Sequence, residues 1–287
     1  MKKLLLQLDT DILPSAFDRV VAHDSGVDNV IPYGSCTRDN ITEHVHGMIF
    51  TRSKKNLHNS AIFIGGSDVS ASELVGEEVK NSFFGDHRVS VMSDPNGSNT
   101  TAAAIVRKVV SRYDVNDKKV LIIGSGPVGQ RTALLLKHEE GAQTVTLTSR
   151  DLARSKAIVD KIQAAHGVDI IPGQARSDES VNELLQDVHV AITCGPAGVC
   201  LITQKMWEAA PHLAVVADVN AVPPHGVEGI SVIDNGRAQD NIHFYGPIAI
   251  GNFKMKLHRA AIASLYERND RFLDESTIYQ IARQIEA

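Results

Sequence analysis

Gly124-Ser125-Gly126-Pro127-Val128-Gly129 is a spacing of glycines through which a main chain can close on a phosphate. Gly124 permits the tight turn, Gly126 lets the backbone approach a pyrophosphate, and Gly129 lets a helix pack against a strand. The N–H groups at the start of that helix then face the phosphates. Such spacing alone also occurs in glycine-rich turns that hold nothing. Here an apolar strand, Val120 to Ile123, precedes it, and a helical run from Gln130 to Lys137 and a second strand from Thr144 to Thr148 follow. That order is a dinucleotide-binding βαβ unit, so all six residues are candidate cofactor contacts.

The end of the second strand tells one nicotinamide cofactor from another. A chain that uses NAD usually carries Asp or Glu there, about 20 residues beyond the glycines, to hold the ribose 2′-hydroxyl. This chain reads Thr148-Ser149-Arg150. A carboxylate would repel a 2′-phosphate, whereas Ser149 offers a hydroxyl and Arg150 a charged fork, with Arg154 one helical turn later. The expectation is NADP. Asp151 is near enough to keep NAD possible, and Ser149 serves equally well as a helix cap. Beyond a further strand, His189 to Thr193, the residues Cys194, Gly195 and Pro196 are placed to line the nicotinamide ribose. Cys194, at an apolar strand end, also fits a buried free thiol.

The elements that position these residues alternate strand and helix along most of the chain. Before the glycines, strands are expected at Lys3–Leu8, Asn29–Ile31, Ala61–Ile64 and Arg88–Met92, with helices at Ala16–Ala22 and Ser70–Asn81. This pattern argues a small parallel α/β unit. Asp94-Pro95-Asn96-Gly97 is a loop by its turn chemistry, and Ser98 or Asn99 can cap a helix running to about Arg112. After Thr148, helices near Leu152–Ala165 and Asp178–Asp187 alternate with strands at Val168–Ile171, His189–Thr193 and Leu213–Val219, with another at Ile242–Tyr245. Such halves make a doubly wound sheet. From Phe253 onward the chain reads as helical, with another short helix after Asp274.

The fold class expected is α/β in two domains. A small N-terminal α/β domain covers about 1–100, a Rossmann domain with a doubly wound parallel sheet covers 101–250, and C-terminal helices, 251–287, return to the first domain. Clefts between domains are favoured ligand sites.

The bulk numbers narrow the classes. The 287 residues can bury a substantial core and suffice for two domains. A charge of −5, from 29 basic and 34 acidic residues, gives no general attraction for nucleic acid or an anionic membrane. The opening MKKLLLQLDTDILPS imitates a signal peptide, but its apolar run stops at Gln7 before Asp9 and Asp11. No run approaches the roughly 20 apolar residues of a membrane span. Cys36, Cys194 and Cys200 have no metal-ligand spacing, so a reduced, cytoplasmic protein without a metal is expected.

Several stretches together resemble a known family. LQLDTDILPS, DPNGSNTTAAA (94–104), GSGPVGQR (124–131), DVNAVPPHGVEGI (218–230) and IGNFKMKLHRAAIASLYE (250–267) are similar to the NAD(P)-dependent methylene-tetrahydromethanopterin dehydrogenases. These are bacterial enzymes of one-carbon metabolism, distantly similar in fold to methylene-tetrahydrofolate dehydrogenases. DPNGSNTTAAA and KMKLHRA are far more specific than the glycines, because generic Rossmann enzymes carry neither. The resemblance implies hydride transfer from the methylene carbon of a pterin carrier to the nicotinamide, leaving a methenyl cation. It also implies a homo-oligomer and makes the N-terminal domain the pterin-binding one. The absence of a Ser–His–Asp arrangement, a metal-ligand cluster or an acid–base dyad fits, since no proton moves; positioning two ligands is the main task.

On that resemblance Lys256 is the substrate-site lysine, with a role in binding and orientation. Lys254 and Lys256 would be roughly 200° apart on a helix, so only one can face a given ligand. A snorkelling surface role is the alternative. Asn96, Gly97, Ser98, Asn99, Thr100 and Thr101, at a loop-to-helix junction, suit pterin heteroatoms or the nicotinamide carboxamide; ordinary capping accounts for some of them. Asp9 and Asp11 end the first strand, and Asp218 and Asn220 follow a buried one, on the side where open α/β sheets bind ligands. Asp9 and Asp11 also suit a turn before Pro14. Asp218 suits either the amino-pyrimidinone edge or neighbouring loop amides, and a core or salt-bridging role fits His258 and Arg259 as well as a ligand does.

The related tetrahydrofolate enzymes often add a cyclohydrolase activity that depends on Tyr-x-x-x-Lys. Tyr33 is here followed by Gly-Ser-Cys and then Thr37, so dehydrogenase activity alone is expected. Three alternatives stay open: a tetrahydrofolate-specific dehydrogenase, a shikimate-type dehydrogenase, and a redox sensor that binds NADP without catalysis. The second requires a Lys–Asp pair upstream of the glycines, where Lys54 and Lys55 lie in a polar run.

Overall fold

A computed structural model describes residues 1–287. In chain order the elements are β1 (Leu4–Asp9), α1 (Ala16–Asp24), β2 (Asn29–Tyr33), α2 (Thr42–Phe50), β3 (Ser60–Gly65), α3 (Val69–Asn81), β4 (Ser90–Ser93) and α4 (Ser98–Val110). There follow β5 (Lys119–Ile123), α5 (Pro127–His138), β6 (Thr144–Ser149), α6 (Leu152–His166), β7 (Ile171–Gln174), α7 (Asp178–Leu185), β8 (Val190–Thr193) and α8 (Gln204–Glu208). The chain closes with β9 (Val215–Asp218), β10 (Asn235–Gln239), β11 (Ile242–Tyr245), α9 (Pro247–Ser264), β12 (Phe272–Leu273) and α10 (Glu275–Arg283). Two compact units result, one of Met1–Thr100 with Met255–Ile285, the other of Thr101–Lys254 with Glu286–Ala287.

The first unit is built on a five-stranded sheet in the order β12-β4-β3-β1-β2, parallel throughout. Its strands are near-continuous apolar runs because helices cover the sheet. Leu6, Leu8, Ile62, Ile64 and Val91 meet Ile41, Val45 and Ile49 around α2 and Val75 and Val79 of α3. The chain leaves β1 for β2 on one side and β3 for β4 on the other, so the strand order reverses between β1 and β3. In open α/β sheets ligands bind outside the carboxyl ends of the strands at such a switch.

The second unit has seven strands, β10-β11-β9-β8-β5-β6-β7, all parallel except β10, which pairs antiparallel with β11. Its order reverses between β5 and β8. One core cluster joins Leu121, Ile123, Ala191 and Val216 to Trp207 and Phe244, whose rings meet edge-on at 5.2 Å.

Several expected boundaries move. α5 starts at Pro127 and α9 at Pro247, earlier than the apolar periodicity implies, because proline is tolerated in a first helical turn. The strand expected at Val168–Ile171 begins only at Ile171. Gly167 closes α6 in a left-handed conformation, and Val168 and Ile170 are spent burying the connection. The cap of α4 is neither Ser98 nor Asn99. Asp94, across a short 3₁₀ turn, accepts from the N–H groups of Asn99 and Thr100 at 2.8 and 3.0 Å. The cap of α6 is Asp151, accepting from the Ala153 N–H, rather than Ser149. α2, α8, the antiparallel β10 and the two-residue β12 were not legible in the periodicity. Lys54 and Lys55 are exposed at the start of a short 3₁₀ turn, Lys54–Asn59. No helix is long and apolar enough to cross a membrane.

Candidate functional site

A pocket of about 290 Å³ opens at the carboxyl ends of β5, β6 and β8, at the switch point of the second unit. Gly124, Ser125 and Gly126 form its floor where β5 turns into α5. Gly129 does not line it; a Cβ there would stand 2.0 Å from the Gly124 carbonyl oxygen, so its absence is what lets α5 sit down on the turn. At Gly126 the reverse holds. A Cβ would meet no protein atom within 4 Å, so the backbone there borders open space, and Gly126 lines the pocket. Gly126 is also the N-cap of α5 without any side-chain cap, which leaves the first N–H groups of the helix available to an anion. Gln130 steadies the turn by donating to the Ser125 carbonyl at 2.9 Å. Pro127 and Val128 are half-buried in the first turn of α5 and, like Gly129, act through its placement.

Ser149, Arg150 and Arg154 form the rim at the end of β6, and no aspartate or glutamate lines the pocket. Both arginines are exposed. Asp151 lies outside the lining and is committed to capping α6. The cavity therefore presents two cations and a hydroxyl where a ribose would sit, a charge pattern suited to a phosphate.

Cys194, Gly195 and Pro196 form the opposite wall, at the end of β8. Burial, with the Asp218 carboxylate nearby, pushes the Cys194 thiol up to about 12, so it stays neutral and is no nucleophile. Asp218 itself is fully buried. It accepts from the Thr193 hydroxyl at 2.7 Å and from the N–H groups of Asn220 and Gly226 at 2.9 and 2.7 Å. The Gly226 carbonyl in turn receives the N–H groups of Leu201 and Ile202, and Leu201 packs against Gly195. Asn220 closes the same loop, donating to the Pro224 carbonyl and accepting from the Val222 N–H. Of the two roles open to Asp218 in the sequence, the hydrogen bonds are those of a loop anchor behind the pocket wall. Ala175, Val199 and Leu201 also line the pocket and escaped sequence reasoning. Ala175 follows the third strand of the half-sheet, a position that could have signalled it.

Of the remaining candidates, Asp9 and Asp11 lie at the carboxyl end of β1, and residues 96–101 lead from β4 into α4. Asp9 is buried, and its two oxygens accept from the N–H groups of Asp11 and Ser15, which makes it a turn anchor. Asp11 is half-buried and holds Ser67 through both N–H and hydroxyl, at 3.1 and 2.7 Å. Ser98, Asn99 and Thr100 are buried and bond to Pro95, Ser93 and Asp94 respectively. Asn96 is exposed with φ of 53°, a left-handed conformation, and its N–H reaches the Gly66 carbonyl at 2.8 Å. Gly97 is half-buried beside it, and Thr101 is half-buried on the next turn of α4. Asp94, which orders the whole segment, was missed as a functional anchor, although Asp before Pro is a recognisable turn signal.

Lys256 is exposed on α9 and Lys254 half-buried, consistent with opposed directions on one helix. His258 is buried between the rings of Phe17 and Phe63, at 6.2 and 5.8 Å, so its place is in the core. Arg259 is exposed. Lys54 makes a surface pair with Asp86 at 3.4 Å, both side chains more than half exposed and in contact with solvent.

Comparison with known proteins gives two family matches. Residues 16–96 match methylene-tetrahydromethanopterin dehydrogenase, N-terminal, and residues 104–238 match shikimate / quinate 5-dehydrogenase. The chain is 42% identical to a protein named bifunctional protein MdtA of Methylorubrum extorquens, covering 99% of each. It is 30% identical to the NAD(P)-dependent methylenetetrahydromethanopterin dehydrogenase of the same organism, covering 94% of each. Among solved structures, shikimate 5-dehydrogenase of Listeria monocytogenes, in complex with shikimate and NAD, aligns over 98% of this chain and 96% of its own. Its TM-score is 0.53 at 14% identity, a likeness of fold alone.

Proposed function

The chain belongs to the methylene-tetrahydromethanopterin dehydrogenase family, and we propose that it oxidises methylene-tetrahydromethanopterin to the methenyl form with NADP. It is an NAD(P)-dependent oxidoreductase. The observation that carries the choice of NADP is the pocket at the β5/β8 switch, with glycines on the phosphate side and two arginines without a carboxylate at the ribose side. NAD remains a usable second cofactor, because nothing in the pocket repels a free 2′-hydroxyl.

The reaction breaks one C–H bond of the bridging methylene; the hydrogen departs with both electrons as hydride, and the lone pairs of the two flanking nitrogens share the positive charge left on the carbon. The bound nicotinamide supplies the acceptor carbon. No proton is transferred, so no side chain has to act as acid or base. What remains for the protein is to bind and align, and alignment alone can supply several kcal/mol of the barrier reduction, of the order of 7–11 kcal/mol at best. Gly126 and the N-terminus of α5 hold the pyrophosphate, Ser149, Arg150 and Arg154 the 2′-phosphate, and Gly195 and Pro196 flank the ribose. Lys256 orients the carrier by a hydrogen bond to its pyrimidinone carbonyl; a full positive charge beside the forming cation would slow the reaction, which argues against any closer part. Asp11, Asn96, Gly97 and Thr101 present accessible groups to the carrier. Asp9, Ser98, Asn99 and Thr100 support those segments from beneath, while Asp218 and Asn220 hold the loop behind the nucleotide-pocket wall.

The reading stops at the methenyl product. Thr37 occupies the place of a cyclohydrolase lysine and is exposed, while the Tyr33 ring stacks on His44 at 3.9 Å. The resemblance also supports a homo-oligomer. One spectrophotometric assay tests the whole reading: methylene-tetrahydromethanopterin and methylene-tetrahydrofolate, each against NADP and NAD, with methenyl hydrolysis followed in parallel because one relative is named bifunctional. Reduction of NADP by the methanopterin carrier is expected. Nucleotide binding without turnover on either carrier would make the protein a sensor instead.

A further inference from the structure

The turn Ser149-Arg150-Asp151, where β6 gives way to α6, carries side chains of opposite value to a 2′-phosphate. The Arg150 guanidinium attracts it and the Asp151 carboxylate repels it. An acid aimed into the pocket at this strand end is what holds an unphosphorylated ribose. Cofactor choice therefore depends on which of two adjacent residues faces the ligand, and backbone orientation sets that.

The orientation is imposed from the neighbouring strand β7. The Ala175 N–H donates to the Ser149 carbonyl at 2.9 Å, and the Gln174 side-chain amide donates to the Arg150 carbonyl at 3.1 Å. These two carbonyls belong to the peptide planes on either side of the Arg150 Cα. With both planes held, the backbone dihedrals of Arg150, and so the direction of its side chain, are fixed. The second plane does more. Its N–H, that of Asp151, donates to the Ser149 hydroxyl at 3.3 Å, which leaves the hydroxyl proton of Ser149 to be donated elsewhere. Asp151 is then placed to accept from the Ala153 N–H at 2.9 Å as the cap of α6. The first turn of α6, which carries Arg154, is tied to the same strand, because the Ser155 hydroxyl donates to the Gly173 carbonyl at 2.9 Å. The Ala175 bond is main chain and continues the β6–β7 ladder. The Gln174 bond is the one that depends on a particular side chain. Gln174 is exposed and does not line the pocket, so any effect it has on the nucleotide passes through the turn.

We propose that Gln174 is a positioning residue for cofactor choice: its hold on the Arg150–Asp151 peptide aims Arg150 and the Ser149 hydroxyl at the 2′-phosphate and keeps Asp151 on its helix cap. This inference rests on the NADP reading of the same pocket and deepens it.

The test uses the full-length protein with Gln174→Met, Arg150→Ala and the double variant. Methionine keeps the length of the glutamine side chain and removes its donor. Kd values for NADPH and NADH are measured by fluorescence titration at low ionic strength, where charges at the rim are least screened. Gln174→Met should raise the ratio of the NADPH to the NADH Kd by about two- to fivefold, up to the effect of Arg150→Ala itself. The double variant should fall short of the product of the two single effects, because a residue that acts through another contributes less once its target is gone. Tm should be unchanged, since the altered side chain is exposed. Three results would overturn the inference: an unchanged ratio in Gln174→Met while Arg150→Ala raises it, equal weakening of both nucleotides as a merely structural role would give, or a double variant that reaches the full product. If Arg150→Ala itself left the ratio unchanged, the 2′-phosphate reading would be the part that fails, and the role of Gln174 would fall with it.

Discussion

Truncating Arg150 to alanine separates the two nicotinamide cofactors on a physical basis. The guanidinium stands exposed at the rim of the pocket with Arg154 one turn away and no carboxylate in the lining. A hydrogen bond to a charged group contributes about 1.5–3 kcal/mol where water is excluded. At an exposed rim, screening leaves about 0.5–1 kcal/mol, which corresponds to roughly 2- to 5-fold in Kd. NADP should therefore weaken by that factor and NAD by less than about twofold, because a 2′-hydroxyl offers the arginine no charge to pair with. Folding should be untouched: the side chain is exposed, and the structural bond at this position, from Gln174 to the Arg150 carbonyl, uses main chain. Fluorescence titration of NADPH and NADH at two salt concentrations gives the answer. The NADP loss should shrink at high salt, as surface charge pairs do. Equal weakening of both nucleotides, or no change in either, would refute the 2′-phosphate assignment.

The two neighbouring glycines should fail in opposite ways. Gly126→Ala is expected to keep its Tm while losing NADPH affinity, since the added methyl meets no protein atom, whereas Gly129→Ala should lower stability by about 1–3 kcal/mol through its clash with the Gly124 carbonyl. Calorimetry and nucleotide titration distinguish them. Lys256→Ala should raise the carrier KM and leave NADPH affinity unchanged, and a collapse of nucleotide binding would assign the lysine to the other site. Cys194 gives a pH prediction. Its thiol stays protonated to about 12 in the folded chain against 9.0 as a free group, so the unfolded chain ionises first and stability falls as pH rises from about 9 to 12. Cys194→Ala should flatten that part of the Tm profile, and a profile identical to wild type would contradict the assignment. Below pH 9 the two proteins should respond to pH alike.

The glycine spacing, the apolar strands around it and the Ser149-Arg150 sequence are local signals. They point to the pocket at the β5/β8 switch because a glycine turn of this kind is made from one continuous stretch of backbone and needs little from elsewhere. Strand-helix alternation was legible for the same reason, since each element's periodicity is written in its own residues. The several aspartates were not. Asp9, Asp11, Asp94 and Asp218 look equivalent in sequence, each at a strand end beside polar neighbours. Their roles diverge because of partners that only the folded chain supplies. Thr193 reaches Asp218 across 25 positions and Ser67 reaches Asp11 across 56, while Asp94 turns inward on the helix it caps. β12 pairs with β4 from the far end of the chain, and no local pattern could announce it. Sequence by itself therefore determined most of the elements and the glycine turn between β5 and α5, both set by contiguous backbone preference. Tertiary structure decided which carboxylates are consumed and which remain available, because burial and hydrogen bonding depend on segments remote along the chain.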